Sequence, residues 1–153
     1  MELKYVYTDE KNIDFQNFSK LIDDYFNKLV GGEKNRKNFI QYNSLEKIHD
    51  VFIAYDKNYA VGCAGLRRYD EDTAEIKRVF VREEYRGKGI SKRLMLLLEE
   101  RAAEIGFKSL VLQTRQACTE AIGLYLSLGY LRINNYPPYD KMPLAVCFKK
   151  SID

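Results

Sequence analysis

One histidine, three cysteines and three prolines stand among 153 residues, and each shortage narrows the reading. The histidine, His49, lies between Ile48 and Asp50 just ahead of a strand-like run, a place for a structural or surface imidazole rather than a general base. The cysteines Cys63, Cys118 and Cys147 are odd in number and lack paired metal-ligand spacing, so no metal site is expected. Two of them sit in apolar runs, where a free thiol behaves as a small hydrophobe. No apolar run approaches the roughly 18 residues of a membrane-spanning helix, and no signal-peptide pattern is seen. Neither secretion nor membrane spanning is expected, and the compartment is read as reducing and cytoplasmic.

Prolines and glycines are few, and no Pro/Gly/Ser-rich linker, repeat or low-complexity segment divides the chain. The length suits one domain with one sizeable core, over residues 1–153. Excess charge is lacking too: Lys and Arg number 25 against 22 Asp and Glu, a net charge of +3. That balance argues against a nucleic-acid partner, whose binding surface concentrates basic residues in one patch or stripe. The densest basic run, Lys34 to Lys37, is short and reads as a solvated loop.

What is present is periodicity. LKYVY at residues 3–7 reads as a strand. Ile13, Phe18, Leu21, Ile22, Tyr25, Phe26 and Leu29 recur at helical spacing and predict an amphipathic helix over 13–30, stopped by Gly31 and Gly32. A second helical segment is expected over Arg36 to Tyr42. VFIAYD, YAVGCAGLRRY and AEIKRVFV, separated by turn residues, predict a three-stranded antiparallel meander over 51–81. Ile90, Leu94, Leu97, Leu98, Arg101, Ala102 and Ile105 mark a helix face, with Gly106 at the cap. SLVLQT reads as a buried strand, CTEAIGLYLSLGY contains a helix ending at Gly129, and LRI and PLAVCF are further strands. The pattern predicts an α+β fold, a mixed sheet with helices on both faces.

Between the meander and the long helix stands RGKGIS, residues 86–91. Helix-start N–H groups lack intrahelical acceptors and carry the positive end of the helix dipole. Gly87 and Gly89 permit a sharp bend and close approach of an anion, and Arg86 and Lys88 add positive charge. A diphosphate fits this arrangement better than a single carboxylate. A nucleotide P-loop would need Gly-Lys-Ser/Thr, whereas Lys88 precedes Gly89. A dinucleotide fingerprint would need a third glycine and an acidic residue about 20 positions on, where Gly106-Phe107-Lys108 stands instead. A different phosphorylated cofactor is indicated.

Here the chain resembles the GNAT superfamily of acetyl-coenzyme A-dependent N-acetyltransferases. Its Arg-x-x-Gly-x-Gly/Ala signature is met by Arg86, Gly89 and Ser91, the serine departing from glycine or alanine. AIGLYLSLGY, residues 121–130, resembles the family's A-I-x-L-Y-x-x-x-G-F/Y helix, with Cys118 where asparagine is frequent. The tail NNYPPYDKMPLAVCFKK is similar to a bacterial subset of uncharacterised acceptor. The resemblance implies a mostly antiparallel sheet of about seven strands. It also implies acetyl-CoA as co-substrate without a metal, and acetyl transfer to a primary amine by direct attack on the thioester.

The resemblance further implies that Gly87, Lys88, Gly89, Ile90 and Ser91, with Arg86, hold the pyrophosphate. Val79, Phe80 and Val81 would pair with the pantetheine arm and polarise the carbonyl, as an added strand pairs with a sheet edge. Thr114, Cys118 and Ala121 would line the cofactor. Tyr125 would protonate the leaving thiolate, and Glu75 would be the base. Cys118 near the cofactor raises an acetyl-cysteine route, but direct transfer is the family's usual one. Tyr136, Pro137, Pro138 and Tyr139 are candidates for a wall of the acceptor pocket. A peptide or protein acceptor instead of a small amine, and a non-catalytic CoA-binding module, are the alternatives; a homodimer is among the assemblies implied.

Overall fold

The computed structural model describes residues 1–30 and 45–153. The segment expected as a second helix, Arg36 to Tyr42, and the helix stop at Gly31 and Gly32 lie outside the described residues. In chain order the elements are β1 (Leu3–Thr8), α1 (Ile13–Val30), β2 (Asp50–Asp56), β3 (Tyr59–Arg68), β4 (Thr73–Val81), a 3-10 turn (Glu83–Tyr85), α2 (Ile90–Ile105), β5 (Ser109–Arg115), α3 (Thr119–Ser127), β6 (Leu131–Ile133) and β7 (Ala145–Ser151). The strands form one seven-stranded sheet in the order β1-β2-β3-β4-β5-β7-β6. Every neighbouring pair is antiparallel except β4 with β5. This is the mixed α+β sheet that the pattern predicts, with the seven strands and mostly antiparallel pairing that the resemblance implies.

The parallel pair decides where a ligand can enter. Thr73 to Ile76 of β4 pair with Ser109 to Leu112 of β5, and there the pairing stops. Past that point β4 stays with β3, as in Cys63↔Phe80, while β5 stays with β7, as in Thr114↔Val146. The sheet therefore splits into two halves along Lys77 to Val81 on one side and Gln113 to Arg115 on the other. Backbone groups lining such a split have no strand to pair with and must find other partners.

The helices lie on opposite faces. Asn12 caps α1, its Oδ1 accepting from the N–H groups of Asp14 and Phe15 at 2.8 and 3.2 Å. Phe15, Phe18 and Ile22 then bury against Val51, Ile53 and Cys63. On the other face α2 buries Ile90, Leu94, Met95, Leu98 and Ala102 against Ala64, Leu66, Ile76, Leu110 and Leu112. Each fully buried Val, Leu, Ile, Met or Phe among them contributes about 1.5–3 kcal/mol. The buried face of α2 takes Met95 and leaves Ile105 38% exposed, a rotation from the predicted stripe. Ile105 is the last residue of α2. Gly106 caps α2 with φ +109°, its N–H reaching Ala102 and Ala103. Tyr125 of α3 belongs to the same core as α2, against Tyr130 and Phe148.

The connection between β6 and β7, residues 134–144, folds over the α1 face. Asn135 Nδ2 donates to the carbonyls of Tyr139, Met142 and Ala145 at 3.1–3.3 Å. Tyr139, Met142, Ala145 and Cys147 form their own buried cluster with Tyr136 packed against it. Tyr69, after β3, donates to the Pro137 carbonyl at 2.9 Å and anchors the loop's far side.

Candidate active site

A cleft of about 540 Å³ occupies the split between β4 and β5. Ile22 and Tyr25 of α1 line it from one face of the sheet, and Leu124 and Tyr125 of α3 from the other. The cleft therefore passes through the sheet. Of the residues named from the sequence, Val79, Phe80, Val81, Arg86, Gly87, Gly89, Ile90, Ser91, Thr114, Cys118, Ala121 and Tyr125 line it. Lys88 and Glu75 do not.

One end of the cleft is the glycine turn. Gly87 and Gly89 take φ +75° and +81°, and a Cβ at either would meet no protein atom within 4 Å. Glycine is required there by the left-handed backbone and not by packing. The first bond of α2 runs from Arg93 N–H to Gly89 O at 3.0 Å. Among the described residues, the N–H groups of residues 87–92 donate to no protein acceptor. Consecutive unpaired N–H groups at a helix start, in open space, fit a phosphate group. Ser91 is the second helical residue and makes no capping bond; Gly89 holds the cap position. Arg86 donates its Nε to the Val81 carbonyl at 3.1 Å and lies over the Tyr25 ring at 5.1 Å. The guanidinium is thereby held at the mouth of the split, while Lys88 is exposed and outside the cleft lining.

The middle of the cleft is the free side of β4. Gly65↔Lys77 and Cys63↔Phe80 bracket a bulge, in which Arg78 and Val79 oppose Ala64. Arg78 carries the strain of that bulge with φ +58°. It is held there by the Cys63 thiol donating to its carbonyl at 3.2 Å and by an ion pair to Asp23 of α1 at 3.3 Å. No glycine marks this bend in the sequence, so it was not legible there. Arg82 N–H bonds to Val61 on β3. Strand alternation then turns the N–H groups of Val79 and Val81 toward the open split.

Beneath α3, Cys118 stands at the N-cap without a side-chain capping bond, where asparagine would supply one. Tyr125 is 6% exposed, and burial pushes its phenol above the usual tyrosine range. Its hydroxyl stays protonated across working pH and makes no hydrogen bond among the described residues. The residue lines the cleft.

Glu75 lies elsewhere, on the α1 face of β4, 2% exposed. Tyr136 donates to its Oε2 at 2.7 Å and Arg67 Nε lies 3.3 Å from Oε1. Two residues on, Lys77 shares that face but does line the cleft. It is 7% exposed, and its Nζ donates to the Tyr139 hydroxyl at 2.9 Å. Burial pushes its amine down to about 8, with Arg67 and Arg78 adding to the fall and Glu75 opposing it. Tyr136 and Tyr139 both face this group, so the expected loop residues reach the site through Glu75 and Lys77. Lys77 is not among the residues named from the sequence; its two-residue offset from Glu75, which puts both on one face of β4, was the available signal. His49 is surface-exposed and paired with Glu10 at 2.5 Å. Among the described residues no cluster of metal-ligating side chains occurs and no helix is long and apolar enough to cross a membrane.

The model of the acetyltransferase (GNAT) family matches residues 15–130, and the chain belongs to that family. It is 33% identical over 103 residues to Probable N-acetyltransferase 14 of Xenopus tropicalis, across 67% of this chain and 50% of that protein. The chain thus spans about half that relative's length. It is 29% identical over 133 residues to the IAA acetyltransferase of Azospirillum brasilense, covering 86% of each. The fold matches that of the PaiA N-acetyltransferase of Thermoplasma acidophilum in complex with coenzyme A, at TM-score 0.75 and 16% identity, over 99% of both chains. Family members transfer acetyl groups from acetyl-CoA to amines.

Proposed function

We propose that this chain, acting as a single domain in a reducing, cytosolic compartment, transfers an acetyl group from acetyl-CoA to a primary amine. The observation that carries the reading is the through-sheet cleft, with acceptor-less N–H groups at one end and the open β5-facing side of β4 in its middle. Acetyl-CoA supplies the activated acetyl thioester. The N–H groups of residues 87–92 and the Arg86 guanidinium hold its pyrophosphate, and the arm adds to the open side of Val79–Val81 as a strand would. An N–H of Val79 or Val81 polarises the carbonyl from a position already fixed by the bulge.

Tyr125 donates a hydrogen bond toward the sulfur side. Burial raises its phenol, so it serves as a persistent donor more than as an acid that empties its proton completely. The acceptor amine approaches from the α1 face, past Tyr25 and the 134–144 loop, since the glycine turn occupies the other end. Glu75, which the resemblance makes the base, acts in this reading through the groups it holds. Both of its oxygens are engaged by Tyr136 and Arg67.

Calorimetric titration with acetyl-CoA, with ATP and NAD as controls, tests the reading. Selective micromolar binding is expected, followed by CoA release with a panel of small amines and peptides. Folded protein that binds no acetyl-CoA removes the proposal.

A further inference from the structure

Lys77 presents the feature that the reaction above leaves unused. The residue lines the cleft one position before the bulge that sets the Val79 N–H toward the split, and its Nζ donates to the Tyr139 hydroxyl at 2.9 Å. The 7% of its surface that remains exposed belongs to a residue lining the cleft. The groups around it fix its position: Glu75 and Arg78 on β4, Arg67 on β3, and Tyr139 at 2.9 Å from the 134–144 loop. Tyr136 of that loop and Cys147 of β7 surround Glu75, and Asp23 of α1 holds Arg78. An amine fixed beside a bound thioester is itself an acceptor.

We propose that Lys77 is a self-acetylation site, modified by the acetyl-CoA bound in the cleft when no acceptor amine is present. The inference rests on acetyl-CoA binding as proposed above. The neutral Nζ attacks the thioester carbonyl carbon; the new C–N bond forms, the C–S bond breaks, and the electron pair leaves with sulfur. The proton shed by Nζ goes to that sulfur, so the products are acetyl-Lys77 and free CoA. A lowered amine pKa keeps a usable fraction of the neutral nucleophile near neutral pH. Acetylation removes the charge that faces Glu75 and places an acetyl group on the acceptor's side of the split.

The experiment uses the whole wild-type chain, acetyl-CoA, and mass spectrometry of the intact protein and its peptides. The expected result is one added acetyl group, at Lys77, at a rate that saturates with acetyl-CoA and is suppressed by CoA. That rate rises about tenfold from pH 7 to pH 9, following the neutral fraction of an amine titrating near 8. Exposed lysines such as Lys57 and Lys88 gain acetyl slowly, without saturation, which sets the background. Lys77 left unmodified, or modified no faster than that background, in protein that calorimetry shows to bind acetyl-CoA, overturns the inference while the acetyltransferase reading stands. Absence of acetyl-CoA binding overturns both, and the calorimetry distinguishes the two failures.

Discussion

The Tyr136 hydroxyl donates to Glu75 Oε2 at 2.7 Å across 61 positions of sequence. It joins the β6–β7 loop to the middle of β4. The carboxylate it meets is 2% exposed and also paired with Arg67 at 3.3 Å. A buried carboxylate stays charged only while hydrogen bonds and an opposite charge replace its water. Burial and Glu75 together push the Tyr136 phenol far above its usual range, so it remains a donor at any working pH. Tyr136→Phe keeps the ring contacts with Tyr69 and Tyr139 and deletes only the donor. The expected cost is roughly 2 kcal/mol in urea unfolding, the range for a buried hydrogen bond to a charged group. An unchanged unfolding midpoint would show that the loop does not hold Glu75 in solution.

Gly89→Ala separates backbone strain from ligand binding. The added methyl meets no protein atom within 4 Å, but φ is +81°. The stability loss expected from the left-handed backbone alone is about 1–2 kcal/mol. Acetyl-CoA affinity should fall by about tenfold or more, because the methyl projects into space that the phosphate needs. Calorimetry on the folded variant gives both numbers' comparison. Full affinity in Gly89→Ala would place the phosphate elsewhere.

Much of this was legible in the sequence, for identifiable reasons. β5 is a short apolar run and α1 an amphipathic one, and both follow directly from period. The glycine turn was legible because positive φ at Gly87 and Gly89 leaves a mark in residue type. The bulge at Arg78 left none: its positive φ is imposed by Asp23, Cys63 and the strand register, all remote in sequence. Glu75 was legible as a carboxylate on β4, but the Tyr136 bond that engages it comes from a loop 61 positions away. Nothing in the sequence marks Lys77 as buried, since burial of a lysine depends on what folds over it. Tyr139 and the rest of the 134–144 loop are what fold over it.

Lys77 also gives a pH dependence of stability with a definite sign. Burial lowers its folded pKa to about 8, against about 10.4 in an unfolded chain. Between those values the unfolded state binds more protons than the folded state, so stability rises with pH across that window. Below about pH 8 both states are protonated and the full desolvation cost is present. Lys77→Met removes this titration. The wild type should therefore gain on the variant, by on the order of 3 kcal/mol in total, as pH climbs from 7.5 to about 10.5. Urea unfolding of both proteins at pH 7.5, 8.5 and 9.5 measures the greater part of it. A difference that stays constant with pH would mean that the amine titrates normally and is hydrated in the folded protein.

Tyr125→Phe tests the remaining role. The ring packs at 6.2 Å from Tyr130 and 6.1 Å from Phe148 in centroid distance, and phenylalanine preserves both contacts, so folding should change little. In the proposed reaction, loss of the hydroxyl removes the donor assigned to the thioester sulfur. The expected effect is a fall in kcat on the order of 100-fold, with KM for acetyl-CoA nearly unchanged, the pattern of an interaction made in the transition state. Because burial holds the phenol above the usual tyrosine range, wild-type Tyr125 does not lose its proton between pH 6 and pH 9. The ratio of wild-type to variant kcat should accordingly be flat over that interval. A ratio that collapses toward one with rising pH would assign Tyr125 a titrating proton and contradict its burial. Equal turnover by the two proteins at every pH would remove the residue from the reaction.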